Sequence, residues 1–198
     1  KKDISILKKL KVSYLYLPSS KQIYPAKKSK NIRINSFEKK LCGKFRPGHF
    51  KAVVTVIDRF IKIINPKNIY LGEKDMQQLK IVEDFIKKNH IKTKVIGCKT
   101  MREKNGIACS SRNFLLSSNE ELIASKIYFL LMTKKKSLIK KKLSLNVIKS
   151  NFFKLGVKKI DYIKLLDINK LIRPYKKKNN YRIFIAYYLG KTRLIDNI

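Results

Sequence analysis

The chain reads as an α/β protein, with a parallel-sheet region over residues 1–97 followed by a smaller α+β region over residues 98–198. Three observations predict this. A short apolar run at Asn68–Leu71, a helical pattern reaching about Lys88 and a second apolar run at Ile91–Gly97 have the spacing of a βαβ unit. The strands of such a unit are parallel and joined by a right-handed crossover. From Cys98 the character changes, and residues 99–118 form a polar loop broken by Asn105-Gly106. Beyond it helical patterns are followed by strand patterns, the order of an α+β region.

Each element has a local cause. Val12–Leu17 is rich in β-favouring Val, Tyr and Leu and stops at Pro18-Ser19-Ser20, so it predicts a buried strand. Residues 18–36, with Pro25 and Asn31, predict irregular chain with a short strand around Ile32–Ile34. After Pro47-Gly48, the residues Phe50, Val53, Val54, Ile57, Ile61 and Ile64 recur at helical spacing. Asn65-Pro66 ends that helix. Asp75 is placed to cap the next one, whose buried side is Leu79, Val82, Phe85 and Ile86. Ser118 with Glu121 has the spacing of a capping box for a helix from about Asn119 to Met132. A further helix is expected over Leu145–Leu155, and strands over Asp161–Leu166 and Arg182–Leu189.

Composition removes several function classes. No apolar run approaches about 18 residues, so no membrane span is expected. The start, Lys1-Lys2-Asp3, leads into no apolar segment of signal-peptide type. Three cysteines, Cys42, Cys98 and Cys109, lack metal-ligand spacing. They fit a reducing, cytoplasmic setting. Two histidines, His49 and His90, do not support a multi-histidine metal centre. The formal charge of +35 invites a nucleic-acid reading. Yet only eight of the 48 basic residues are arginine, and the lysines are scattered along the chain. Geometric reading of bases and phosphates favours arginine. Clusters such as Lys134–Lys136 and Lys140–Lys142 are expected on a solvated helix face or its flanking loop.

Two segments carry chemistry. Gly72-Glu73-Lys74-Asp75-Met76-Gln77-Gln78 lies where a strand gives way to a helix. Ligands of parallel sheets bind at those strand ends. Ser110-Ser111-Arg112-Asn113 lies in the polar loop, on the other side of the expected boundary. Together they offer a lysine, an arginine, hydroxyls and backbone N–H groups from two walls, which suits a polyphosphate. Gln77 or Gln78, in the first helical turn, faces whatever binds there. In Arg46-Pro47-Gly48-His49-Phe50, His49 is either an acid–base group or a helix-start residue.

With the segments Leu41-Cys42-Gly43-Lys44-Phe45-Arg46-Pro47-Gly48-His49-Phe50, Gly72 to Leu79, Met101 to Asn113 and Leu189 to Asn197 in this order, the chain resembles the pantoate–β-alanine ligases. That resemblance implies the C-terminal portion of a Rossmann-like nucleotidyltransferase domain, followed by a small domain carrying a mobile phosphate-binding loop. It implies an ATP-dependent ligase, on the way to coenzyme A, that joins (R)-pantoate to β-alanine through a pantoyl adenylate. Mg²⁺ accompanies ATP, and the family is a cytoplasmic homodimer. By resemblance Gly72 and Asp75 hold the ribose, with Glu73 in the same ATP-binding segment. Lys74 holds phosphate, and Gln78 contacts pantoate. Met101 meets adenine through its backbone. Cys109, Ser110, Ser111 and Arg112 form the phosphate loop, and Lys74, Ser110, Ser111 and Arg112 are the catalytic set. Met76 and Cys109 depart harmlessly from the usual residue types.

The family's first strand and its histidine-bearing phosphate motif precede the region matched here, and neither His49 nor His90 has that context. The expectation is therefore a C-terminal part of a longer enzyme, inactive by itself. Two other readings compete. A basic nucleic-acid module would bind with steep salt dependence and tolerate changes at Ser110 or Arg112. Another adenylyl-transferring enzyme of the same superfamily would share the phosphate site but act on a different acid.

Overall fold

The computed structural model describes residues 2–24, 32–173, 175 and 177–198. The residues Pro25 and Asn31 named above lie outside the described residues. The chain opens with α1 (Lys2–Lys9) and the single turn α2 (Ser20–Ile23), then α3 (Cys42–Phe45) and the long α4 (His49–Ile64). The βαβ unit is β1 (Asn68–Gly72), α5 (Met76–Lys88) and β2 (Lys94–Cys98). Its strands pair in parallel from Asn68↔Lys94 to Gly72↔Cys98, as the spacing predicts. Next come α6 (Ser118–Ile139), α7 (Leu145–Lys154), β3 (Lys159–Asp167), β4 (Tyr181–Leu189) and β5 (Thr192–Asn197). The last three form an antiparallel sheet in the order β3-β4-β5.

Local signals explain most boundaries. The helix α4 ends at Asn65, which takes the left-handed conformation before Pro66. The helix α5 buries Leu79, Val82, Phe85 and Ile86, the side its pattern predicts. A closing turn follows it, with His90 at φ 52° and Ile91 N–H bonded to Ile86 O. That turn uses up residues 89–93, so β2 starts at Lys94 and not at Ile91.

Five expectations are corrected. Val12–Leu17 is not a strand. Its side chains are exposed, Tyr14 at 92%, and β1 is hydrogen-bonded only to β2 among the described strands. β propensity without a ladder partner does not make a strand. Residues 32–34 are likewise irregular, because Asn35 immediately caps a 3₁₀ turn at Ser36–Lys39. The capping box of α6 is Ser117 with Glu120, one residue before the expected pair. Both pairs have the required spacing, but the Glu121 carboxylate is taken by the Asn105 side-chain amide at 2.9 Å. The helix also runs on to Ile139, since Lys134–Lys136 are good helix formers. Finally, Asp75 caps nothing with its side chain. A 3₁₀ turn at Glu73–Asp75 sits between β1 and α5, and the Asp75 carboxylate lies near Lys74 and His49.

The three-stranded sheet joins two hydrophobic cores. Along β4, Ile183, Ile185, Tyr187 and Leu189 face a core with Ile127 and Leu131 of α6 and Ile148 and Phe152 of α7. The alternate residues Phe184 and Ala186 face the other core, with Val54 of α4 and Leu79, Val82 and Phe85 of α5. Side chains alternate across a strand with period two. A strand buried on both faces therefore reads as a dense apolar run, which is why β4 is plain in the sequence.

Candidate active site

The site lies where the C-terminal end of β1, the 99–118 loop and the β4–β5 hairpin meet. A cleft of about 280 Å³ is lined by Arg46, Lys74, Asp75, Cys109, Ser110, Arg112, Arg193, Leu194 and Ile195. Four cations thus face one carboxylate in a space of ligand size. Such a cleft focuses positive potential on an anion.

Lys74 is held between the two walls. Its Nζ donates to Cys109 O at 3.0 Å and to Ala108 O at 3.4 Å. Burial lowers its pKa below the ordinary lysine value, and Asp196 and Asp75 partly oppose that shift. Its backbone is pinned from behind, where Asn197 Nδ2 donates to Glu73 O at 2.7 Å and Lys74 O at 2.8 Å. Asn197 is itself fixed by Arg182, which donates to its Oδ1 at 2.7 Å and pairs with Glu73 Oε2 at 2.7 Å. The Glu73 carboxylate is therefore a strut behind the turn and does not line the cleft.

The loop wall is built on the sharp reversal at Asn105-Gly106. Gly106 has φ +86°, and a Cβ there would fall 2.2 Å from the Tyr128 ring, so glycine is required on both counts. Arg102 donates to Gly106 O, forms a bidentate pair with Asp196 at 2.7 and 3.0 Å, and lies over the Tyr128 ring. This ties the loop to β5 and α6. Ser110 Oγ accepts from the backbone of Arg112 at 3.3 Å. It starts the 3₁₀ turn Ser111–Leu115. Arg112 Nη1 donates to Arg193 O at 3.0 Å.

A smaller cavity of about 40 Å³ adjoins the cleft and shares Arg46, Lys74 and Asp75 with it. It adds Cys42, His49, Gln77, Gln78, Tyr162 and Asp196. The two glutamines divide their roles. Gln77 is buried, donating to Phe37 O and Lys40 O and accepting from Cys42 N–H. It fixes the segment before α4, whereas Gln78 makes no such bonds and faces the cavity. His49 is the first residue of α4. Burial and then Arg46 lower its pKa, against Asp75.

Of the residues singled out in the sequence, Lys74, Asp75, Cys109, Ser110 and Arg112 come together in the cleft, with Gln78 and His49 beside it. Ser111 is exposed at the start of its turn, and Gly72 ends β1 without lining the cleft. The Met101 side chain points to solvent, while its carbonyl accepts from Cys109 N–H at 3.0 Å. Arg46 and Arg193 were not assigned a role from the sequence. Each lies inside a segment quoted for the resemblance, but one arginine looks like another until the fold brings them to a common space.

Comparison with known proteins gives a consistent answer. The family model for pantoate-beta-alanine ligase matches residues 1–198. Pantothenate synthetase of Sulfurihydrogenibium sp. is 37% identical over all of this chain and 72% of the relative. That of Clostridium botulinum strain ATCC 19397 is 38% identical over 99% of this chain and 71% of the relative. Among solved structures, a pantoate-beta-alanine ligase from Francisella tularensis, complexed with β-γ ATP and β-alanine, is 38% identical with a TM-score of 0.78. It matches all of this chain and 68% of its own. Pantothenate synthetase from Thermus thermophilus has a TM-score of 0.83 at 27% identity and matches 73% of its own chain. On the family match and these identities, the chain belongs to the pantoate-beta-alanine ligase family.

Proposed function

We propose that the cleft binds ATP and that the protein joins pantoate to β-alanine in two steps. In the first, a pantoate carboxylate oxygen attacks the α-phosphorus of ATP. Pantoyl adenylate forms and the bond to pyrophosphate breaks. In the second, the β-alanine amine attacks the acyl carbon, giving pantothenate and releasing AMP with loss of a proton. The observation that carries this reading is the joining of Lys74 to the Ala108 and Cys109 carbonyls, just before Ser110–Arg112, in a cleft of four cations. The Francisella tularensis relative, complexed with β-γ ATP and β-alanine, supports it.

In this reading Lys74, Ser110 and Arg112 stabilise charge on the phosphates as the adenylate forms, with Ser111 closing the loop beside them. Asp75, freed from capping, and Gly72 face the ribose, Glu73 braces the turn, and Met101 offers its backbone N–H to adenine. Gln78 in the adjoining cavity orients pantoate next to the α-phosphate, so the reactants are held in line. Mg²⁺ belongs to the ATP substrate complex. Among the described residues no group of three His, Cys, Asp or Glu is placed to hold a metal. The division into a nucleotide- and pantoate-binding part over 1–97 and a loop-bearing part over 98–198, the homodimer and the cytoplasmic setting belong to the same proposal. No helix among the described residues is long and apolar enough to cross a membrane.

The test is AMP release by the native gene product against a panel of acids. AMP and pyrophosphate are expected only with pantoate, and pantothenate once β-alanine is added. Equal turnover with unrelated acids and none with pantoate would refute the reading.

ATP binding should also be linked to proton uptake. Burial lowers the Lys74 pKa in the free protein. A bound phosphate places negative charge beside the ammonium and raises that pKa again. Between the two values the complex holds more protons than the free protein, so affinity falls as pH rises through the lowered pKa. Calorimetry in buffers of different ionisation enthalpy should show protons taken up at alkaline pH, with the uptake absent in Lys74→Met. Proton release on binding would contradict the assignment.

A further inference from the structure

We propose that Arg193 is a further phosphate-binding group of the cleft and that the buried Asp161 is its positioning residue. This rests on the ATP reading given above. Arg193 stands on β5, the strand whose Asn197 clamps the Lys74 turn, and its residue lines the same space as Arg46, Lys74 and Arg112. Its guanidinium is not a mobile surface cation. Nε donates to Asp161 Oδ2 at 2.8 Å, and Nη2 points at Cys42 Sγ at 3.9 Å. The sulfur is held in turn by the Tyr162 hydroxyl at 2.9 Å. The Tyr162 side chain is a further hydrogen-bond partner of the guanidinium, yet the Arg193 side chain keeps 15% of its surface open and lines the cleft, which leaves part of the donor fork for a ligand.

The Asp161 side chain is only 1% exposed. A buried carboxylate is costly to keep charged unless it is paired, and Arg193 is its close partner; Lys159 lies 4.0 Å away. The pair is therefore worth keeping for what it orients. With one edge of the fork fixed by Asp161, the other edge is set without the rotamer entropy that a free arginine loses on binding. The same residue also receives Arg112 on its backbone carbonyl at 3.0 Å. Arg193 thus places two guanidinium groups, its own and that of Arg112, on one side of the cleft. Lys74 lines the same cleft.

The experiment compares ATP, inorganic tripolyphosphate and adenosine as ligands of the native gene product by calorimetry, with a thermal melt on each variant. Arg193→Ala should weaken ATP and tripolyphosphate at least about tenfold and change adenosine less than about twofold. Asp161→Asn should weaken the same two ligands, by less. The double variant should bind no worse than Arg193→Ala alone, because Asp161 acts through Arg193. If the alanine variant melts early, Arg193→Lys serves instead. It keeps the charge, loses the fork, and should still bind tripolyphosphate several-fold more weakly. A folded Arg193 variant with unchanged ATP affinity, or an Asp161 effect that adds in full to that of Arg193, overturns the inference. ATP binding by the unaltered protein separates the two failures, since its absence would sink the ATP reading and this inference with it.

Discussion

Lys74→Ala in the native gene product is expected to lose at least about 2 kcal/mol of transition-state stabilisation in adenylate formation, a rate loss of about thirtyfold or more. The lysine crosses the cleft from the strand end to the loop carbonyls at Ala108 and Cys109. Two things are lost together on truncation. One is the point charge where phosphate charge develops. The other is the tether that keeps Ser110 and Arg112 opposite the turn. Arg112→Ala should produce a comparable loss without loosening the turn. The measurement is kcat and KM for ATP with saturating pantoate, and a fall in kcat is the diagnostic part. Rates within a factor of two of the unaltered enzyme for either variant would remove these residues from the catalytic set.

Phe152→Ala is expected to be the most destabilising single change in the α6–α7 core, at about 3–5 kcal/mol. Phe152 has no exposed surface and packs edge-on to Tyr187, with ring centroids 5.6 Å apart. It stands under β4, whose opposite face belongs to the core of α4 and α5. A cavity there withdraws support from the strand that both cores share. Chemical denaturation should show the loss in the midpoint with the slope unchanged. A change below about 1 kcal/mol would mean that α7 shifts to fill the space and that the packing is less fixed than the geometry implies.

The sequence carried the βαβ unit and the boundaries of α4, α5, α7, β3 and β4, because each rests on local signals. Apolar spacing marks the helices, and turn residues end them. It misled at Val12–Leu17, where β-rich composition is real but the segment pairs with no strand among the described residues. It misled by one residue at Ser117, where two overlapping capping boxes compete and Asn105, twelve positions away, decides between them. β5 went unread as a strand because Thr192–Asn197 has few apolar residues, and its pairing depends on the turn at Gly190 returning it to β4. In the site, Lys74, Ser110 and Arg112 stood out because they sit beside a strand end and in a polar loop. Arg193 and Asp161 did not. Neither has a local signature, and their pairing spans 32 residues of chain across two strands.

The contacts of Asn197 with the carbonyls of Glu73 and Lys74 join positions 124 and 123 apart in sequence. A turn that depends on so distant a clamp cannot take its final shape while the chain is being made. The βαβ unit can form early from near-neighbour contacts, but its cleft-forming end stays incomplete until β5 has been synthesised and has paired with β4. Closing a loop of that length carries an entropic cost that must be met before the contacts repay it. The cleft should therefore be the last feature to appear in refolding. On the proposed function, nucleotide binding should lag behind the return of helical signal, and a ribosome-bound chain stopped before Arg193 should hold a nearly formed α5 beside an unformed cleft.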